Sequence, residues 1–298
     1  MDESVRRFAC TQCGKCCNRS PEVELSEAAA LADVFVFRLM FRLYRMANVF
    51  DRATSGSSET FYQKKRLLSG HAAHKYATKI VRAGKSIECT NYLMISALAM
   101  DTSPGSCAAL TAGRCGIHDR RPLGCRTVPF HYSRAEGLAA SDFDSFVATA
   151  GYRCDRSDGA PLFWKDGHIV DADTLQARAD ALALAETDRP WKEAIVRLMK
   201  RRHSGNEDLP TVQEVEANAG FAAMTATMRI GWEIAVEAGM LSRQAYRVLI
   251  EKQLATIERE LAGGDSAVPE RQTLREMSVE YRQVLVGSER PTSIRAAL

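Results

Sequence analysis

No stretch of this 298-residue chain is apolar for long enough to cross a bilayer, and its start, Met-Asp-Glu-Ser, lacks a signal-peptide pattern. These absences predict a protein of a reducing cytoplasm with no membrane partner, where a disulfide framework is not expected. No G-x-G-x-x-G follows an expected strand, which removes the usual dinucleotide or methyl-donor fingerprint. Ala83-Gly84-Lys85-Ser86 looks like the end of a phosphate-binding loop, but Lys79 stands where that pattern needs its first glycine. A C-x3-C-x2-C run is also missing, because Cys10 and Cys13 are one residue too close. No serine or cysteine nucleophile stands beside an identifiable base, so no enzymatic activity is assigned. No internal repeat or low-complexity tract occurs in the second half, and no cysteine follows Cys154.

What is present is a dense run of thiols. Cys10-Thr-Gln-Cys13-Gly-Lys-Cys16-Cys17 places four cysteines in eight residues, and Cys107, Cys115, Cys125 and Cys154 follow, with Cys89 between the groups. Thiolates are soft, charged ligands, and this density points to a soft metal or an iron–sulfur cluster. The three-residue steps from Cys10 to Cys13 to Cys16 let neighbouring sulfurs reach one metal from a tight turn, for which Gly14 supplies backbone freedom.

Charge is unevenly shared. Residues 1–134 carry 20 basic and 11 acidic side chains, and residues 135–298 carry 20 and 26. Eight thiolates on two divalent metals would leave a charge of about −4, so the basic half is read as an offset to sulfur rather than a nucleic-acid surface. Nucleic acid is therefore not an expected partner.

Along the chain, residues 1–22 read as an irregular metal-binding loop, and Ser26 is the expected N-cap of a long helix over 26–50. Arg38, Arg42 and Arg45 would form a solvated stripe on that helix. A connection at 53–60 and a second helix at 61–83 follow. Tyr92 to Met100 fits strand and buried helix equally. The glycines and prolines of 103–134 leave room for little regular structure, so cross-links such as metal must hold that segment. Asp166-Gly167 between apolar runs signals a β-hairpin over 162–170. Helical patterns then occupy 173–186, 190–203, 211–239, 242–262 and 269–286.

The second cysteine group reads Cys115-Gly-Ile117-His118-Asp-Arg-Arg121-Pro122-Leu-Gly-Cys125-Arg126. Together with the first run it closely resembles the cysteine-cluster proteins of the YkgJ type, over about residues 8–155. Their hallmark is CxxCxxCC followed downstream by C-x-I-(Tyr/His)-x-x-Arg-Pro-x-x-Cys-Arg. The resemblance implies a ligand set of Cys10, Cys13, Cys16, Cys17, Cys107, Cys115, Cys125 and Cys154, and a metal that is zinc or iron. Cys89 matches nothing in that pattern and is read as a small buried hydrophobe.

Adjacent side chains such as Cys16 and Cys17 diverge, which suits two neighbouring metals better than one isolated zinc. Two four-thiolate zinc sites, two [4Fe–4S] clusters, or one of each would use eight thiolates, and the long gaps between cysteines favour a cluster. Arg121 and Arg126 are expected to donate to backbone carbonyls or sulfurs. His118, and His71 with His74 on one helix face, are minority candidates for ligation.

The expected fold is mainly α: a loop-rich, metal-stabilised cysteine lobe with a small β component at 1–171, then a C-terminal helical bundle at 172–298. The expected function is a cytoplasmic metal-binding protein holding iron–sulfur, [4Fe–4S] favoured, or zinc, in a structural, electron-transfer or redox-sensing role. Two alternatives stand beside it. Flagellin lysine N-methylases carry a similar cysteine-rich region, which implies a protein- or peptide-modifying enzyme. A zinc-stapled module whose helical lobe grips a protein or peptide partner is the other.

Overall fold

The structure, a computed structural model, describes residues 5–47, 58–102, 105–130, 136–201, 209–219, 223–263 and 268–287. Among the described residues helix accounts for 48% and strand for 23%, which overturns the expectation of a mainly α fold with a small β component. Two compact units interleave along the chain. The first comprises residues 1–18, 45–92 and 109–186, and the second residues 19–44, 93–108 and 187–298.

Most of the extra strand lies where helices were expected. Short strands β1 (Val5–Arg7) and β2 (Glu22–Val23) come first. Only Leu25–Ala30 of the expected 26–50 helix is helical, and it starts from Glu24 rather than Ser26. The rest is β3, Phe37–Ala47. Phe37, Leu39, Phe41 and Leu43 are buried and alternate with half-exposed or exposed Arg38, Arg42 and Tyr44, the period of two that a half-buried strand requires. Met40, buried from the opposite face, breaks that alternation and makes the segment look helical. Arg38 and Arg42, four apart, satisfy both periods. The outer part of the expected helix, 48–50, lies outside the described residues.

The same correction applies to 61–83. A helix runs from Ser58 to His71, and β4 (His74–Arg82) takes over. Tyr76, Thr78, Ile80 and Val81 favour the extended form through β-branched and aromatic side chains. A turn at Ala83-Gly84, with φ of 49° and 73°, leads into β5, Lys85–Ala99, which settles the 92–100 ambiguity as strand. Asn91 ties this region together within the first unit. Its Nδ2 donates to Thr78 Oγ1 at 2.8 Å, and its Oδ1 accepts from Arg45 Nε at 3.0 Å.

The remaining strands are β6 (Leu110–Thr111), β7 (Arg114–Cys115), β8 (Leu162–Lys165), β9 (His168–Ile169) and β10 (Met224–Thr227). One sheet runs β10-β3-β5-β2, with β4 also on β5. Its registers in the second unit include Met224 opposite Phe41 and Glu22 opposite Leu98. The 211–239 pattern is therefore not one helix: Val212–Ala217, β10 and Met228–Glu237 share it. The first of these starts with a capping box in which Thr211 and Glu214 satisfy each other's backbone N–H. Helices at Ala172–Thr187, Arg189–Arg201, Arg243–Gly263 and Val268–Val286 match the sequence reading closely.

In the second unit, buried Gln253 is a clamp on the turn before β3. Its Oε1 accepts from the Phe37 N–H at 2.9 Å, and its Nε2 donates to the carbonyls of Ala32 at 2.8 Å and Phe35 at 2.6 Å. Backbone groups freed where the short helix stops thus find a side-chain partner instead of water.

In the first unit, the Asp166-Gly167 hairpin forms as expected, with φ of 49° and 94° at its two turn residues, as a type I′ turn demands. Strand β1 pairs antiparallel with β8, Arg6 opposite Trp164. Behind this ribbon sits a core of Phe130, Ala139, Phe143, Phe163 and Ile169, with Phe8, Leu138, Val147 and Trp164 packed on it. Phe8 meets Phe143, Phe146 and Phe163 edge-on at 6.2–6.3 Å. An aromatic anchor two residues before Cys10 fixes where the thiol loop begins.

Candidate metal centre

The first cysteine run leaves β1 through Phe8 and Ala9. Ala9 forms an antiparallel bridge with Asp155, with N–H to carbonyl distances of 2.9 and 3.0 Å. Thr11 Oγ1 donates to the Arg153 carbonyl at 2.8 Å. These bonds flank Cys10 and Cys154 on their two strands, so residues 144 apart in sequence enter one neighbourhood. The run then turns sharply. Gln12 and Gly14 have φ of 54° and 71°, and the Cys17 N–H donates to the Gly14 carbonyl at 3.1 Å.

Gly14 is where this turn meets the second cysteine group. A Cβ there would lie 2.5 Å from the Gly113 carbonyl oxygen. Gly113 sits in the turn between β6 and β7, where Ala112 and Gly113 have φ of 50° and 76° and Leu110 pairs with Cys115. The backbone of the first loop therefore rests directly on the hairpin that carries Cys115. Gly14→Ala should cost more than the ~1–2 kcal/mol of a left-handed non-glycine residue, because the added carbon also collides with fixed backbone. Gly113→Ala carries the same φ cost but nothing lies within 4 Å of its Cβ. Urea titration of both variants checks this, and equal losses would refute the close-packing account.

The electrostatics show which sulfurs crowd together. Burial first, then the neighbouring Cys16, Cys13 and Cys10 thiols, push Cys154 up to about 11. Cys16 is raised far above the ordinary thiol range, first by its hydrogen bond with Cys17, then by burial and by the charges of Cys17 and Cys13. Cys13 moves the other way. The backbone N–H of Lys15 is its largest influence, opposed by desolvation and helped by the Arg153 N–H and Thr11. Cys154 thus senses Cys16, Cys13 and Cys10, and Cys16 senses Cys17 and Cys13; accumulating negative charge there is unfavourable without a cation.

Cys10 is exposed, whereas Cys13, Cys16, Cys17, Cys107, Cys115, Cys125 and Cys154 are half-buried. Cys125 sits in the single helical turn Leu123–Arg126, its N–H donating to the Pro122 carbonyl at 2.8 Å. Cys107 falls in the second unit, and the other seven sulfurs of the expected set fall in the first. Cys89 is fully buried in β5, as read from sequence. Among the described residues no group of three or more His, Cys, Asp or Glu side chains stands in metal-holding geometry.

The neighbouring side chains divide clearly. Arg121 Nε donates to the His118 carbonyl at 3.0 Å, the structural role expected of it, and Arg126 Nη1 lies 3.6 Å from Asp180 Oδ2. His118 Nδ1 is 3.7 Å from its neighbour Asp119. His71 is buried at a helix end, but His74 belongs to β4 and stacks on Tyr76 at 5.4 Å, so the two do not share a helix face. Sequence reasoning missed Thr11 and the Arg153 backbone, because a threonine hydroxyl and a peptide group carry no spacing signal. No helix among the described residues is long and apolar enough to cross a membrane.

A family model described as "CxxCxxCC: Putative zinc- or iron-chelating domain" matches residues 9–154. No curated protein and no solved structure matches the chain.

Proposed function

We propose that this chain, whose residues 9–154 belong to the CxxCxxCC family of zinc- or iron-chelating domains, holds its metal as a [4Fe–4S] cluster on cysteine thiolates. The observation that carries the reading is that the Ala9–Asp155 bridge and the Thr11–Arg153 hydrogen bond bring the strand of Cys154 to the start of the Cys10–Cys17 turn. Cys10, Cys13, Cys16 and Cys154 would then supply four thiolates, the right chemistry for either a cluster or zinc. Cys17, Cys115 and Cys125, in the same unit, are the remaining thiolates available for a second centre.

The cluster reading is preferred over zinc because the set joins one compact turn to a strand 144 residues away. The adjacent Cys17 would crowd a single tetrahedral ion. When bound, a cluster supplies one-electron chemistry. The chain's own groups prepare the position. Lys15 and Arg153 N–H groups favour the thiolate form of Cys13, and the edge-on packing of Phe8 on its aromatic neighbours anchors the loop root. Exposed Cys10 leaves one edge open to solvent, which suits electron exchange or redox sensing better than an enclosed staple.

Anaerobic purification followed by analysis for iron, acid-labile sulfide and zinc tests this. Iron and sulfide in equal amounts, about four of each per cluster, with visible absorbance that bleaches on reduction, are expected. A colourless protein with stoichiometric zinc would overturn the cluster while leaving the thiolate set intact. A protein that takes up neither metal would overturn both.

A further inference from the structure

Residues 60–87 carry seven basic side chains and no acidic one. They span the helix Ser58–His71, strand β4 and the turn into β5, all within the first unit. Lys64, Arg66, Lys75, Lys79 and Lys85 are exposed and Lys65 is half-buried. Among the described residues none of these six makes an ion pair with a carboxylate. Elsewhere the chain pairs its arginines freely: Arg6 with Asp144, Arg229 with Glu233 and Glu280, and Arg282 with Glu258.

Both elements carry this charge to solvent: Lys64 and Arg66 are exposed on the helix, and Lys75 and Lys79 on β4, where Lys75 Nζ lies 5.9 Å from the ring centroid of Tyr92 in β5. Along β4, Lys75 and Lys79 share the exposed set with Ala77 and Val81, alternating with half-buried His74, Tyr76, Thr78 and Ile80.

We propose that this basic face binds the phosphate backbone of nucleic acid. Unpaired lysines without carboxylates between them maximise attraction to a polyanion, and each phosphate contact releases condensed counterions. A protein partner fits less well. Protein interfaces are depleted in lysine and built on apolar or aromatic anchors, whereas nucleic-acid interfaces are far more positive. The sequence reading assigned the basic charge of this half to offsetting thiolates. That account needs the charges paired with sulfur, and it gives no reason for a one-signed run on a separate helix and hairpin. The proposal does not depend on which metal the cysteines hold.

The test uses the full-length protein with its metal content measured and a fluorescein-labelled 20-nucleotide single strand, followed by polarisation against salt. Binding should weaken with salt, with a slope of roughly −2 to −4 in log–log form, as about three to five neutralised phosphates require. The triple variant Lys64→Glu, Lys75→Glu, Lys79→Glu should weaken binding more than 10-fold with unchanged circular dichroism and metal content. Lys200→Glu with Lys252→Glu, in the second unit, should change it less than 2-fold. If the triple variant misfolds, the single variant Lys79→Glu should still weaken binding at least 2-fold and flatten the slope. No binding at low salt, equal losses in the second-unit control, or equal competition by poly-glutamate would each overturn the proposal.

Discussion

Replacing Lys192 with methionine is expected to destabilise the protein by about 3–5 kcal/mol, the cost of leaving a buried counter-charge alone. Lys192 and Glu24 are 2% and 5% exposed, and Lys192 Nζ lies 2.5 Å from Glu24 Oε2. Asp188, 2% exposed, accepts from the Ser26 N–H at 2.9 Å and also from its hydroxyl. Lys192 thus pairs with buried Glu24, while the buried Asp188 carboxylate is held by Ser26. Burial is the main reason the Asp188 carboxyl sits above its ordinary range; the Ser26 hydrogen bonds oppose that, Glu24 adds to it, and Lys192 counters it.

The sign of the pH dependence follows. Because Asp188 binds its proton more tightly folded than unfolded, its contribution is fullest below the unfolded pKa and declines as pH rises toward the folded one. Removing Lys192 strengthens that trend, so the deficit of Lys192→Met should shrink as pH falls from neutral toward the ordinary carboxylate range near about 4. Urea midpoints at neutral and acid pH measure both effects. Lys192→Met combined with Glu24→Leu should recover at least half of the neutral-pH loss. A single-variant loss under about 1 kcal/mol, or no recovery in the double, would show that the pair is not the counter-charge described.

This network also marks where the sequence could be read and where it could not. Lys192 and Asp188 stand in an amphipathic helix and the turn before it, and both elements were legible from periodicity and Pro190. That a lysine on the helix meets Glu24, 168 residues earlier, was not. Burial of a charge depends on which elements pack together, and spacing along one element says nothing of that.

The helices at Ala172–Thr187, Arg189–Arg201, Arg243–Gly263 and Val268–Val286 were legible because their apolar stripes extend over several turns, whereas the 211–239 pattern hid a strand. The segments 37–47 and 74–82 were misread because Arg38 and Arg42, or Lys75 and Lys79, satisfy helical and extended spacing together. Only sheet pairing decides between them. The hairpin at 162–169 was legible because Asp-Gly has few other uses between apolar runs. For the thiols, local spacing revealed the Cys10 to Cys17 turn, and the resemblance supplied Cys154. Gly14 was singled out for backbone freedom, yet its contact with Gly113 is a long-range fact that no local pattern encodes.

The largest functional effect is expected at Cys154. Changing it to serine replaces a soft thiolate by a hard hydroxyl at the one position that brings a distant strand to the first loop, so bound metal should fall by at least half. Stability should fall with it, because ligation and folding form one equilibrium when the ligands are gathered from separate segments. The Ala9–Asp155 bridge and the Thr11–Arg153 hydrogen bond flank Cys10 and Cys154 and join their two segments. Amide exchange near residues 9–17 and 153–155 should therefore be slow in metal-loaded protein and fast after chelation. Cys89→Ala provides the contrast. Its thiol is fully buried in β5, so it should cost about 1 kcal/mol or somewhat more in packing while leaving metal content unchanged. Full metal retention in Cys154→Ser, with Cys89→Ala losing it instead, would remove Cys154 from the ligand set and with it the convergence on which the centre is built.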